Sequence, residues 1–240
     1  MRPSRFDPKL PLAFVLSALV FPASACGQQE APPVDDLETR AREIHERVIT
    51  IDTHDDISPN FATAESDPGQ REGRQVTLPK MREGGLDMAF FVVYVGQTER
   101  TPENYAAAQE RAAALFDAIH RLTDEMYPDE IGFAWTPDDV ERLHSEGKLA
   151  ATIGIENGYS IGKDLSLLEA YHARGARYFG LTHIGHNDLA DSSIPRENLG
   201  DAVEEHGGVS DLGAQAIAEA NRLGMMVDVS HASGKTAVDA

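Results

Sequence analysis

The stretch VITIDTHDDIS, residues 48–58, joins two unlike halves. Its first half is apolar and β-branched, which is typical of a buried strand. Its second half carries Asp52, His54, Asp55 and Asp56, whose side chains are costly to bury without partners. Alternate residues of an extended chain point to the same side, so His54 and Asp56 should face one way and Asp55 the other. Asp52 shares the side of His54 and is expected to support it.

Strand-like and helix-like segments alternate along the rest of the chain. The predicted strands are Val48–His54, Met88–Val95, Ala151–Glu156, Arg177–His183 and Met225–His231. The predicted helices are Leu37–Val48, Pro102–Tyr127, Pro137–Lys148, Leu165–Arg174 and Asp211–Leu223. Ile131–Trp135 is either a short strand or an extended connection. The polar segment Gly185–Gly208 is long enough to be an active-site loop.

This alternation predicts an α/β fold with a parallel sheet covered by helices. A doubly wound sheet and a (β/α)8 TIM-type barrel both fit the pattern. Polar residues at the carboxyl ends of several strands favour the barrel, because barrel active sites gather there. Only five strands are clear, so we expect about five βα units, the N-terminal part of a longer barrel.

Residues 1–25 have the features of a secretory signal peptide. Three basic residues precede the apolar run Leu10–Phe21, which is too short to span a membrane, and small residues follow at 23–25. Cys26, the only cysteine of the chain, comes next, as in a bacterial lipoprotein whose cysteine is lipidated. Because Ala23 stands where such signals usually have a bulkier residue, simple secretion of the cleaved protein is the alternative.

The remaining chain divides into a polar tether at residues 26–36 and a barrel domain at residues 37–240. Removal of residues 1–25 leaves 18 basic and 39 acidic residues, a net charge of −21. Such a surface disfavours binding to nucleic acid and to anionic membranes, so membrane attachment is expected only through Cys26. The oligomeric state stays open, and a homodimer is compatible with the sequence.

Groups that can bind a metal ion or a proton recur at four predicted strand ends. They are His54 with Asp56, Glu156, His183 and His231. A single histidine at a strand end is more often a hydrogen-bonded structural residue than a metal ligand. Recurrence at equivalent positions favours one shared site, and a mixture of imidazoles and carboxylates suits zinc or a similar divalent ion.

Five stretches resemble, in the same order, the membrane (renal-type) dipeptidases. They are VITIDTHDDIS, GGLDMAFFVVYVG, IGIENGYSIG, RGARYFGLTHIGHNDLADSS and NRLGMMVDVSH. The resemblance runs from about residue 40 to the end of the chain. It implies an amidohydrolase-like barrel and a zinc metallopeptidase that hydrolyses dipeptides.

The resemblance also implies a role for each strand-end residue. His54 and Asp56 are similar to the ligands of one zinc ion, Glu156 to a carboxylate that bridges two zinc ions, and His231 to a ligand of the second. His183 is similar to a histidine that contacts the substrate carbonyl. Two ions that share a carboxylate can hold a hydroxide between them, and this hydroxide would attack the peptide bond.

The sequence departs from the family pattern at two positions. Asp55 replaces the asparagine that usually separates the two ligands of the first zinc. Tyr159 stands where a glycine or histidine is often found, which leaves the substrate preference open. The family's second histidine ligand, its acidic proton-transfer residue and its carboxylate-binding arginine are expected beyond Ala240.

Two other functions are consistent with these residues. One is a different barrel metallohydrolase, acting on a cyclic amide, a lactone or a phosphoester. Many of those enzymes carry His-x-His on the first strand, so the arrangement of His54 and Asp56 disfavours this alternative. The other is a non-catalytic lipoprotein that binds a metal or a peptide, although intact candidate ligands argue against loss of activity.

Overall fold

The computed structural model describes residues 34–240, and side chains from residue 36 onward. The strands are β1 (Ile51–Asp56), β2 (Met88–Tyr94), β3 (Ile131–Phe133), β4 (Leu149–Glu156), β5 (Ala176–Gly180) and β6 (Met226–Asp228). The helices are α1 (Val34–His45), α2 (Leu78–Gly84), α3 (Pro102–Arg121), α4 (Pro137–Ser145), α5 (Ser166–Ala173), α6 (Asp211–Leu223) and α7 (Gly234–Asp239). A π-helical turn covers Leu122–Met126, and 3₁₀ turns cover Gly158–Ile161 and Glu197–Leu199.

All six strands belong to one parallel sheet, in the order β1-β2-β4-β5-β6, with β3 paired to β4. β2 pairs along Ala150–Glu156 of β4, whereas β3 pairs along Leu149–Ala151 and β5 along Ile153–Ile155. β2 takes one edge of β4. The other edge is shared, since β3 pairs with the first residues of β4 and β5 with later ones. The predicted α/β class is confirmed, and the parallel βα order is consistent with part of a TIM-type barrel.

Side chains from the two faces of this sheet enter different clusters. The larger cluster contains Phe91 and Ile153 from the strands and Phe116 from α3. The smaller cluster, on the opposite face, contains Phe90 and Tyr178, together with Met88, Val92 and Ala150. Alternation along β4 places Glu156 on the face of the smaller cluster, at the carboxyl end of the strand.

Threonine residues stand immediately before three of the helices and cap their N-terminal ends. Thr77, Thr101 and Thr136 each accept a hydrogen bond from a backbone N–H in the first turn of α2, α3 and α4. Each helix also has a proline in its first turn, where the missing N–H costs nothing. The sequence pattern does not predict α2, because seven residues are too few to show a helical period.

Several predicted boundaries differ from the observed ones. β1 begins at Ile51, and Val48 and Ile51 are 46% and 50% exposed, so the prediction that this apolar run is buried is wrong. The reason is that, among the described residues, β1 pairs only with β2 and forms an edge of the sheet. β5 and β6 end at Gly180 and Asp228, before the predicted ends.

Each helix within residues 34–240 is too short or too polar to span a bilayer. Residues 40–240 group into one compact unit. The predicted signal peptide, Cys26 and most of the predicted tether lie outside the described residues. Their assignments therefore stay predictions.

Candidate metal centre

The end of β1 aims His54 and Asp56 to the same side. Between Asp52 and Asp55 the pairing of β1 with β2 shifts register, which places a bulge at Thr53 and His54. The Asp52 carboxylate accepts a hydrogen bond of 3.0 Å from the backbone N–H of His54, so the bulge leaves this donor satisfied. His54 Nε2 lies 3.7 Å from Asp56 Oδ1, as the alternation predicts, while Asp55 is turned inward and buried.

Glu156, the last residue of β4, stands at the centre of the site. Its side chain is only 8% exposed, and its two oxygens face different histidines. Oε2 lies 3.4 Å from His54 Nε2, and Oε1 lies 3.0 Å from His231 Nε2 and 3.7 Å from His183 Nε2. A single carboxylate therefore connects the residues of β1 with those that follow β5 and β6.

His183 and His231 lie in loops three residues beyond the ends of β5 and β6. Their rings are 4.4 Å apart between centroids. The Ser192 hydroxyl contacts the backbone carbonyl oxygens of both, at 2.5 Å for His183 and 3.2 Å for His231. His231 has a φ of 61°, in the left-handed region that residues other than glycine adopt uncommonly, and the backbone N–H of Ser193 also donates to its carbonyl at 2.8 Å.

These residues form two groups that share Glu156 and could each hold a metal ion. One group is His54, Asp56 and Glu156, and the other is Glu156, His183 and His231. In tetrahedral zinc coordination, with bonds of about 2.0–2.1 Å, the ligand atoms lie roughly 3.3 Å from one another. The separations of 3.0–3.7 Å around Glu156 match this spacing, and the imidazole and carboxylate donors suit zinc.

The charges of the site perturb several pKa values. Hydrogen bonding to Glu156 raises the pKa of His54 above its ordinary value, against the effect of burial. Burial tends to raise the pKa of Glu156, but hydrogen bonding from His54 and the neighbouring imidazoles hold it below its usual range. Burial lowers the pKa of His183. Burial also raises the pKa of Asp55 to about 7, although Arg74 opposes this shift.

The structure adds residues that the sequence reasoning does not identify. The hydroxyl of Tyr178 lies 3.2 Å from Nδ1 of His54, and that of Tyr94 lies 3.4 Å from Nδ1 of His183. Ser192 is a third such residue. Tyr94 could be identified from the sequence as a candidate, because it is a polar aromatic residue at the end of an apolar strand. Tyr178 and Ser192 could not, since only the folded chain brings them to the histidines.

Parallel βα units with imidazoles and carboxylates gathered at the carboxyl edge of the sheet are typical of the class of metal-binding TIM-type barrels. The comparisons with known proteins narrow this class. The sequence model of the membrane dipeptidases (peptidase family M19) matches residues 38–240, and the chain therefore belongs to this family.

Individual relatives support the assignment. The chain is 38% identical over 164 residues to the dipeptidase aclJ of Aspergillus oryzae, which is 66% of this chain and 37% of that protein. It is 32% identical over 169 residues to the dipeptidase tcpJ of Claviceps purpurea, which is 69% of this chain and 38% of that protein. The chain thus spans less than half the length of these relatives.

A solved structure shares the fold. The crystal structure of the probable dipeptidase PvdM from Pseudomonas aeruginosa superposes with a TM-score of 0.79 at 31% identity. The match covers 85% of this chain and 52% of that one. The described strands and helices therefore correspond to about half of a larger fold in that relative.

Proposed function

We propose that the full-length protein is a zinc-dependent dipeptidase whose two metal ions are bridged by Glu156. One observation carries the proposal. The two oxygens of the Glu156 carboxylate face two separate sets of imidazole and carboxylate groups, at 3.4 Å and 3.0 Å. A lone metal ion would need only one of these sets, whereas a bridged pair needs both.

Each site residue then has a defined task. His54 and Asp56 hold one ion together with Glu156, and His231 holds the other. His183 lies slightly farther from Glu156, at 3.7 Å, and its side chain is 19% exposed. We assign His183 to the substrate, where its ring would donate a hydrogen bond to the carbonyl oxygen as negative charge develops there.

When bound, two zinc ions lower the pKa of water and polarise the peptide carbonyl. The chain supplies the rest. Glu156 is buried at the carboxyl end of β4, which limits the water around its carboxylate. The electrostatic interactions of this carboxylate are therefore stronger than they would be in water. The bulge in β1 and the contacts of Ser192 keep the histidines in place before substrate binds, so little reorganisation is needed during the reaction.

A dipeptide is the proposed substrate, because the chain belongs to the membrane dipeptidases and its named relatives are dipeptidases.

We also propose that the mature protein is exported and attached to a membrane through a lipidated Cys26. The basic n-region, the apolar run and the position of this cysteine support that proposal. Substitution of Cys26 by serine should abolish lipid labelling, and an unlabelled wild-type protein would favour simple secretion.

The experiment for the enzymatic proposal uses the full-length protein and a panel of dipeptides. Elemental analysis should find about two zinc equivalents per chain, as a bridged pair requires. A chelator should abolish dipeptide hydrolysis, and added zinc should restore it. Full hydrolysis by the metal-free protein would contradict the proposal, and turnover of lactones or phosphoesters without dipeptides would favour the other hydrolase class.

A further inference from the structure

Tyr178, on β5, contacts the side of the His54 ring that faces away from Glu156. Its hydroxyl oxygen lies 3.2 Å from His54 Nδ1, while His54 Nε2 lies 3.4 Å from Glu156 Oε2. The imidazole is therefore held at both nitrogens, by a tyrosine on one side and by the carboxylate on the other. A histidine that binds a metal almost always donates its other ring N–H to an oxygen, which fixes the ring and its tautomer.

We propose that Tyr178 is the positioning residue of the His54 metal site, an inference that rests on the proposed function. For Nε2 to offer its lone pair to a metal ion, the ring proton must lie on Nδ1. Nδ1–H then donates a hydrogen bond to the Tyr178 oxygen. Without this oxygen, the Nδ1–H of the metal-binding tautomer would lose its hydrogen-bond acceptor, so that tautomer and the ring orientation it needs would be less favourable.

The surrounding strands build a specific place for the Tyr178 ring. The ring is buried and packs against Phe90, with centroids 5.3 Å apart. Gly154 lies directly across the β4–β5 pair, and a Cβ added to it would meet the Tyr178 Cζ at 1.9 Å. The backbone of Gly154 does not need the conformational freedom of glycine, because it is not among the residues with positive φ. Its lack of a side chain instead makes room for the tyrosine.

Phe90 provides a matched control for packing. It touches the ring of Tyr178 and, within residues 34–240, forms no ring contact with His54, and its apolar side chain offers His54 no hydrogen bond. Phe90→Leu should loosen the tyrosine's surroundings and keep its hydroxyl. Tyr178→Phe does the reverse, since it keeps the ring and removes only the oxygen.

The test measures zinc affinity by competition with a chelator in the full-length protein, without reference to activity. Asp56→Asn identifies which of the measured affinities belongs to the His54 site. Tyr178→Phe should weaken that affinity by about 10–100-fold, the usual effect of losing a partner of a metal-binding histidine. Gly154→Ala, which displaces the ring, should act in the same direction.

The outcomes separate this inference from the proposed function. If the wild type binds no zinc, both are wrong. If the wild type binds zinc and Tyr178→Phe binds it within about twofold as tightly, only the positioning role is wrong. An equal loss of affinity in Tyr178→Phe and Phe90→Leu, with matching loss of thermal stability in the metal-free proteins, would assign Tyr178 to packing and overturn the inference.

Discussion

The two halves of the candidate metal centre are built in different ways. His54 and Asp56 lie two residues apart at the bulged end of one strand, and their relative position follows from the alternation of that strand. His183 and His231 lie 48 positions apart, in the loops that follow the paired strands β5 and β6, and Ser192, from the same loop as His183, contacts the backbone of both. We call the first the strand half and the second the loop half.

The two halves differ in the interactions that hold their side chains in place. Among residues 34–240, the strand half lies at an edge of the sheet, and the side chain of Asp56 is 69% exposed. The loop half is supported by the buried segment around Asp191, whose carboxylate accepts backbone N–H groups of Glu205, His206 and Gly208. Within the strand half, the spacing of His54 and Asp56 therefore depends on local geometry, whereas the loop half is assembled by tertiary hydrogen bonds.

Glu156 joins the two halves, so its substitution should have the largest effect. Glu156→Gln removes a bridging oxygen and its charge, and we expect both zinc ions to be weakened together. Asp56→Asn, the control in the strand half, should chiefly weaken one. Loss of several kcal/mol of charge stabilisation corresponds to a fall in turnover of roughly 10³-fold for Glu156→Gln. Elemental analysis and dipeptide kinetics check this, and unchanged zinc content would show that Glu156 is not a ligand.

His183 and His231 should behave differently although they are neighbours in the loop half. His183→Ala should retain two zinc equivalents and lose turnover by about 10²–10³-fold, the usual cost of removing a donor to a developing oxyanion. His231→Ala should lose the second zinc. If His183→Ala also loses zinc, then His183 is a ligand, as its place in the second group of potential ligands allows.

The difference between the halves also explains how far the sequence predicts the site. Alternation along β1 is a local property, so it correctly predicts that His54 and Asp56 face together. It cannot predict that Ile51 is exposed, because exposure depends on which strands pair with β1. The ligand types after β5 and β6 are evident in the sequence. The roles of Ser192 and Tyr178 depend on contacts 39 and 124 positions away, which no local pattern encodes.

Asp191 tests the support of the loop half. Burial would raise its pKa, but three backbone N–H donors together hold the pKa below its ordinary value of 3.8. Because the folded-state pKa is lowered, the stabilisation is present above pH 3.8 and is lost as the pH falls through the folded-state value. Asp191→Asn should therefore lower the free energy of unfolding by about 2 kcal/mol at pH 7, as expected for hydrogen bonds to a charged group.

Denaturant unfolding of metal-free protein at pH 7 and near pH 3 checks this expectation. The difference between wild type and Asp191→Asn should shrink at the lower pH, because the carboxylate is then largely protonated in the unfolded chain and the advantage of its lowered folded-state pKa is partly lost. Glu197→Gln, an exposed change in the same loop, is the control and should have little effect. A difference that stays constant with pH would mean that the charge of Asp191 does not support the loop.

Ser192 should give the smallest effect, confined to the loop half. Its hydroxyl donates to the carbonyl of His183 and contacts that of His231, whose carbonyl also receives the N–H of Ser193. Ser192→Ala should therefore cost about 1 kcal/mol, one net hydrogen bond, and lower turnover by roughly fivefold. Ser193→Ala is the control, because its side chain is exposed and its backbone N–H remains. Zinc affinity of the strand half, measured by chelator competition, should not change in either variant. A loss of affinity at the His54 site in Ser192→Ala would show that the two halves are mechanically coupled, and the separation drawn between them would then be wrong.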